Sequence, residues 1–244
     1  MTYAATGIML RRRDIGEWDR WYTVLTREHG KLAFVGKGTR RPRAKLAAHL
    51  EPYSSADLVL ARGRTTDRIT FARVTAPGTR FAASWSRMCA AAFVVECVDV
   101  LTRDAHRDVG LFEFLETALD AIAGDQSGCM IPASVRLLSI LGYTPELDRC
   151  VECRAVVPPG IIAAAPIRGG ALCGRCRGRH ADVVTFRAED RVRIAQCAAA
   201  FVPGATSSAV DAFVQAQLLS HLPGPLRSLP ELTSAVGARM VSGS

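Results

Sequence analysis

The first 80 residues alternate short hydrophobic runs with turn-forming residues. Five runs are rich in the β-branched and aromatic residues that strands favour, at residues 8–10, 21–26, 32–35, 57–60 and 69–74. Glycine or proline separates the runs, at Gly16, Gly30, Gly36, Pro52 and Gly63. Five such short strands favour a small closed barrel, because closure leaves no unpaired sheet edge.

The pattern becomes helical after Pro77-Gly78. Apolar residues recur every three or four positions, as at Leu111, Leu115 and Leu119. Five helices are predicted, at residues 84–103, 109–123, 133–141, 189–201 and 208–221. We therefore expect an α+β chain, with a barrel domain at residues 1–80 and an α-helical domain at residues 81–244.

Four aromatic residues of the barrel are candidates for stacking against nucleic-acid bases if they are exposed. Trp21 and Phe34 are expected in the barrel core, because they lie within predicted strands. Trp18 and Tyr22 fit either a core or a stacking role, and both interpretations stay open.

Composition narrows the class of protein. The 244 residues are 49% hydrophobic and 22% charged, which excludes a disordered or fibrous chain. Uninterrupted apolar runs are too short for a membrane-spanning helix, and the N-terminus does not resemble a signal peptide. We expect a soluble cytoplasmic protein, in which the eight cysteines would not form disulfides.

The net charge of +8 is concentrated in the predicted barrel. Residues 1–80 contain 16 Lys and Arg against 7 Asp and Glu, and residues 30–50 contain no acid. This imbalance favours a polyanionic partner, nucleic acid before a membrane surface. The stretch 37–45, between the third and fourth strands, is predicted to be a loop or short helix. Eight cations, the barrel cations, are the candidate nucleic-acid contacts: Arg11, Arg12, Arg13, Lys37, Arg40, Arg41, Arg43 and Lys45.

Two Cys-x-x-Cys pairs, Cys150/Cys153 and Cys173/Cys176, are separated by 19 residues. This spacing is typical of a tetrahedral structural zinc site, although a single iron would fit the same four thiolates. His180, four residues after Cys176, is an alternative metal ligand, but we expect it at the surface. The other cysteines are expected to be core residues: Cys89, Cys97, Cys129 and Cys197.

Sequence motifs of common enzymes are missing. The chain has no phosphate-binding loop, Gly-x-Ser-x-Gly, His-Glu-x-x-His or Gly-x-Gly-x-x-Gly motif. Asp14, Glu17 and Asp19 are interpreted as counter-charges to nearby arginines. We expect a protein that is not an enzyme. A zinc-ribbon regulator of transcription or RNA processing is the main alternative, followed by a thiol oxidoreductase or a nuclease.

Several motifs, in order along residues 4–180, resemble the RecO family of bacterial recombination mediators. They are TGIMLR at 6–11, GEWDRWYTVLT at 16–26, HGKL at 29–32, GKGTRR at 36–41, LEPY at 50–53, LLSILGYTPELD at 137–148 and GGALC at 169–173. The resemblance implies an oligonucleotide-binding (OB-type) barrel, a helical domain and a zinc finger inserted at about 146–182.

The resemblance also implies a function in DNA repair and recombination. Such a protein binds single- and double-stranded DNA and anneals complementary strands without ATP. It acts with RecR, contacts the tail of the single-strand-binding protein, and thereby helps to load RecA. By motif, Lys37, Arg40, Arg41 and the arginines at 11–13 would contact DNA, and the four paired cysteines would bind one zinc ion. The implied location is the cytoplasm, at the nucleoid.

Overall fold

The computed structural model describes residues 1–228 of the chain. The five predicted strands are confirmed as β1 (Thr2–Ile15), β2 (Asp19–Thr26), β3 (Gly30–Gly36), β4 (Ser55–Ala61) and β5 (Asp67–Ala76). They close into a barrel in the order β1-β2-β3-β5-β4, and β4 pairs with β1. The expectation of a five-stranded OB-type barrel is confirmed.

Closure depends on a short parallel pairing between β3 and β5, at Phe34–Asp67 and Val35–Arg68. The other four strand pairs are antiparallel. Because β5 occupies the position next to β3, the chain leaving β3 must cross to β4, which lies beside β1. Residues 37–54 make this crossing as a series of turns with a short 3₁₀ helix, Ala47–His49. The basic stretch 37–45 is therefore a connecting segment beside the barrel, as predicted.

Side chains from all five strands fill the barrel interior. Tyr22 and Phe34 are fully buried and stack with their ring centroids 5.4 Å apart. The core position expected for Phe34 is confirmed, and the open question for Tyr22 is settled as core. The expectation for Trp21 is wrong, because Trp21 is half-buried outside this core. Adjacent strand residues point to opposite faces, so an inward Tyr22 directs Trp21 outward.

Helices follow the barrel where the hydrophobic spacing predicts them. They are α1 (Trp85–Leu101), α2 (Val109–Ala123), α3 (Met130–Ile140), α4 (Ala188–Ala199) and α5 (Ser208–His221). Three short strands were not predicted: β6 (Ile162–Ala165), β7 (Gly170–Leu172) and β8 (Val184–Phe186) form a small sheet in the order β7-β6-β8. Among residues 1–228, no helix has the length and apolar character needed to cross a membrane.

The chain divides into two compact units. The first contains residues 1–123, which are the barrel with α1 and α2, and residues 226–228 also belong to it. The second, Gly124–Pro225, contains α3, the small sheet, α4 and α5. The predicted division at residues 80/81 marks the change from strands to helices and remains a prediction. Residues 229–244 of the predicted helical domain lie outside the described residues.

Lys31 links the barrel to the C-terminal end of α1 within the first unit. Its ammonium group donates hydrogen bonds to the carbonyl oxygens of Asp99 and Thr102, each at 2.7 Å, and lies 3.4 Å from the Asp104 carboxylate. The last turn of α1 has no basic residue of its own, so Lys31 satisfies carbonyls that the helix leaves unpaired and complements its dipole. Lys31 is 7% exposed and adds no charge to an outer basic surface.

Replacing Lys31 with alanine is expected to destabilise the first unit by about 1–3 kcal/mol, because the two carbonyls lose their donor in a buried position. Urea unfolding followed by circular dichroism measures this. The matched control is Lys45→Ala, at an exposed lysine, which we expect to change stability by less than about 0.5 kcal/mol. Equal stabilities of the two variants would contradict this role for Lys31.

Candidate nucleic-acid interface and metal centre

A tight turn after β3 places the first basic residues of the connecting segment. Gly36 has no side chain, and a Cβ there would lie 2.8 Å from a ring carbon of Tyr22 and 2.7 Å from the Thr39 methyl group. Thr39 is buried over this position and donates a hydrogen bond to the Gly36 carbonyl at 2.9 Å. Gly38 adopts a positive φ of 66°, which glycine tolerates without strain. The barrel core itself therefore fixes the path of residues 37–40.

This basic turn is also hydrogen-bonded to the turn between β1 and β2. The Arg40 amide donates to the carbonyl of Trp18 at 2.9 Å, and its guanidinium donates to the carbonyl of Gly16 at 2.9 Å. The Gly38 amide donates to the Asp19 carboxylate at 2.8 Å. Arg40 also lies 3.3 Å from Asp14, at the end of β1 next to Arg13. The end of β1, where Arg13 lies, is thus linked to the turn that carries Lys37, Arg40 and Arg41.

Four of the eight barrel cations form ion pairs. Arg11 lies 3.2 Å from Asp99, Lys37 lies 2.6 Å from Asp19, and Arg12 and Arg40 pair with Glu51 and Asp14. The hydrogen bond from Lys37, supported by the Gly38 amide, lowers the pKa of the Asp19 carboxyl. The predicted counter-charges Asp14 and Asp19 do pair with cations: Asp14 lies 3.0 Å from Arg20 and also contacts Arg40, and Asp19 pairs with Lys37, whereas neither pairs with Arg11–Arg13. Pairing reduces the charge that these four cations offer to a ligand.

The other four barrel cations are exposed and form no ion pair within 4.0 Å among residues 1–228: Arg13, Arg41, Arg43 and Lys45. The Arg41 guanidinium lies 5.9 Å from the ring centroid of Trp18. Trp18 is 42% exposed, so the open question for this residue is settled as a surface position. Alternation along a strand predicts which side chains face inward only within the strand. It therefore gave no prediction for Trp18, which lies in the turn between β1 and β2.

The second unit brings the four paired cysteines together. Their sulfur atoms all lie within 4.8 Å of one another, and those of Cys153 and Cys173 are 3.6 Å apart. Four thiolates around one metal at the usual zinc–sulfur distance would be separated by about 3.8 Å. The cysteines therefore form a cluster that can hold one metal ion.

Hydrogen bonds within the chain shape both pairs. The Cys150 carbonyl accepts from the Arg154 amide at 2.9 Å, with Arg154 at a positive φ of 60°. The Cys173 carbonyl accepts from the amides of Cys176 and Arg177, both at 3.0 Å. Burial of the Cys150 thiol is outweighed by amide donors from neighbouring residues, which lower its pKa to about 6. Amide donors thus favour the metal-binding thiolate form at Cys150, whereas its hydrogen bond with Cys173 and its burial raise the pKa of Cys176 to about 12.

One half of the cluster belongs to the core of the second unit. Cys150 and Cys176 are buried with Leu172, Phe186 and the α5 residue Phe213. Phe186 and Phe213 meet edge to face, with ring centroids 5.6 Å apart. A bound metal would therefore brace the small sheet and its connecting loops against the helices.

The remaining cysteines and His180 lie apart from the metal cluster. Cys89, Cys97, Cys129 and Cys197 are buried, as expected for core residues, and burial raises the pKa of Cys97 to about 12. His180 lies 3.4 Å from the Glu152 carboxylate and is outside the cysteine cluster. Its side chain is only 13% exposed, so the expectation of a surface histidine is wrong.

Two models of one protein family together match nearly the whole chain. The model described as "Recombination protein O N terminal" matches residues 1–77, and "Recombination protein O C terminal" matches residues 82–230. The chain is 35% identical to the DNA repair protein RecO of Rubrobacter xylanophilus, over 91% of this chain and 93% of the relative. It is 32% identical to that of Frankia casuarinae, over 96% and 99%, and 37% identical to that of Heliobacterium modesticaldum, over 74% and 68%.

Replacing Cys153 with serine is expected to abolish stoichiometric metal binding, because three thiolates and a hydroxyl make a much weaker site. Mass spectrometry of the metal content of purified protein measures this. The control is Cys89→Ser, which removes a thiol of the first unit and should leave one metal ion per chain. Full metal content in the Cys153 variant would show that this cluster is not the metal site.

Proposed function

The chain belongs to the recombination protein O family of DNA repair proteins, and from that membership we propose that it is a recombination mediator without catalytic activity. It binds single- and double-stranded DNA, anneals complementary strands without ATP, and together with RecR assists RecA loading on DNA coated by single-strand-binding protein. The observation that carries the DNA-binding part is a set of exposed cations that form no ion pair within residues 1–228: Arg13, Arg41, Arg43 and Lys45.

These cations suit a phosphate backbone better than base edges. They lie on a barrel and its connecting segment rather than on a helix that would enter the major groove. Cations that contact phosphates release counterions, which gives affinity that depends on salt and not on sequence. Trp18 beside Arg41 adds an aromatic face on which one base stacks.

Annealing follows from charge neutralisation and needs no bond chemistry. Two complementary strands repel each other through their phosphates, and a basic surface that holds one strand lowers this repulsion. Because backbone contacts leave the Watson–Crick edges of the bases free, the bound strand remains able to pair. The unpaired barrel cations supply the contacts that this mechanism requires, and Lys37 and Arg40 join them when DNA competes with their acidic partners.

Zinc is the metal that we propose for the cysteine cluster. Four thiolates leave no open coordination position for water, which suits a redox-inactive ion with a structural role. Support comes from the burial of Cys150 and Cys176 in the core of the second unit. When bound, zinc would hold the two Cys-x-x-Cys turns together and stabilise the surrounding fold.

The triple variant Arg41→Ala/Arg43→Ala/Lys45→Ala tests the DNA-binding surface. Three lost contacts with single-stranded phosphates should flatten the slope of log K against log salt by about 2, and annealing of complementary oligonucleotides without ATP should slow accordingly. Fluorescence anisotropy and a quenching assay measure the two effects. The control variant replaces three exposed arginines outside the barrel, Arg103, Arg187 and Arg227, with alanine, which removes the same charge. If both triple variants behave alike, the DNA surface lies elsewhere.

The Asp19→Asn variant tests whether ion pairing restrains Lys37. Asparagine keeps an oxygen that can accept the Gly38 amide, but it removes the negative charge that pairs with Lys37. We expect tighter binding of single-stranded DNA and a salt slope steeper by about 0.7, since one more cation is free for a phosphate. Weaker binding or an unchanged slope would show that Lys37 contributes no phosphate contact.

A further inference from the structure

We propose that the outer rim of the four-cysteine module is a second surface for DNA phosphates, in the second unit of the chain. The residues concerned are the rim arginines, Arg154, Arg175, Arg177 and Arg179. This inference rests on the proposed DNA binding, but it assigns a contact region outside the barrel.

The rim arginines are exposed and weakly paired. Arg175, Arg177 and Arg179 have no acidic partner within residues 1–228. Arg154 is 66% exposed at its side chain and lies 3.9 Å from Glu146, a long ion pair. The nearest acid in the first cysteine turn, Glu152, is already engaged by Arg168 at 3.7 Å and His180 at 3.4 Å. The rim therefore offers cations that the protein does not neutralise.

The four-cysteine cluster brings together arginines from two distant parts of the sequence. The sulfur atoms of Cys153 and Cys173 are 3.6 Å apart. Arg154 directly follows the first of these cysteines, and Arg175 lies two residues after the second. A polyanion thus meets the arginines of both turns at the exposed half of the cluster, whereas Cys150 and Cys176 form its buried half.

The rim is also open and held in shape. A Cβ added at Gly174 or at Gly178 would meet no atom within 4 Å, so neither position is covered by the rest of the protein. Amide hydrogen bonds from Arg177 to the Cys173 carbonyl and from Arg179 to the Cys176 carbonyl, both at 3.0 Å, fix the backbone that carries the arginines. Little backbone ordering is then required when a ligand binds.

The charge of the cluster does not cancel the rim arginines. A divalent ion with four thiolates carries two formal negative charges, whereas the rim has four arginines. Arginine also forms bidentate hydrogen bonds with phosphate oxygens. The chemistry of the rim therefore fits the sugar–phosphate backbone of DNA, which would give each protein molecule contacts in both of its units.

The test compares metal-loaded, full-length protein with the variant Arg175→Ala/Arg177→Ala/Arg179→Ala. Binding of a fluorescein-labelled oligothymidine is followed by anisotropy over a salt series. We expect the slope of log K against log salt to flatten by about 2 relative to wild type. The corresponding triple lysine variant should keep the wild-type slope, because lysine retains the charge. Circular dichroism verifies that each variant keeps its fold, and the metal content of each variant is measured separately.

The outcomes separate this inference from the proposed function. If the rim variant binds DNA like the control variant lacking Arg103, Arg187 and Arg227, while the barrel variant is impaired, the rim is not a DNA surface and the barrel assignment stands. If the rim arginines only balance the charge of the metal cluster, their loss lowers metal content without changing the slope, which also overturns the inference. If wild-type protein binds no DNA, both proposals fall.

Discussion

Closure of the barrel through the β3–β5 pairing is the constraint on which the basic surface of the first unit depends. Because β5 is inserted between β3 and β4, the chain must cross the barrel from β3 to β4, and this crossing contains Lys37 to Lys45. The crossing begins over the buried ring of Tyr22, where only glycine fits at position 36. Hydrogen bonds to the carbonyls of Gly16 and Trp18 then hold it against the turn between β1 and β2. The packing of the barrel core therefore determines where the basic crossing segment lies on the barrel surface.

Basic residues of the molecule have two kinds of role: some stabilise the fold through buried or paired contacts, and others are exposed. Lys31 donates hydrogen bonds to carbonyls at the end of α1, and Lys37 and Arg40 stabilise the turn that carries them. Within residues 1–228, exposed cations without an ion pair include those on the barrel connection and on the rim of the cysteine module, and these are available to a ligand. In both places the backbone is held by hydrogen bonds, which favours rigid surfaces that bind a phosphate backbone with little ordering cost.

The sequence predicted features that local spacing controls and missed those that depend on distant contacts. Two helices, at residues 109–123 and 208–221, begin and end as predicted, and the cysteine spacing identified the metal cluster. Trp21 was misassigned because both faces of β2 are apolar, with Leu25 as well as Tyr22 buried, so composition did not reveal which face turns inward. Strands β6, β7 and β8 have only three or four residues, too few for a periodic signal. The burial of Lys31 and the pairing of half the barrel cations arise from residues far apart in the sequence.

Photo-cross-linking of the full-length, metal-loaded protein to an oligonucleotide containing 4-thiothymidine, with mass spectrometry of the cross-linked peptides, most directly tests whether the barrel is the main DNA surface. We predict cross-links in peptides that cover residues 11–20 and 37–45, and their loss at high salt. Cross-links confined to α1, α2, α4 and α5, with the barrel peptides unmodified, would contradict this assignment.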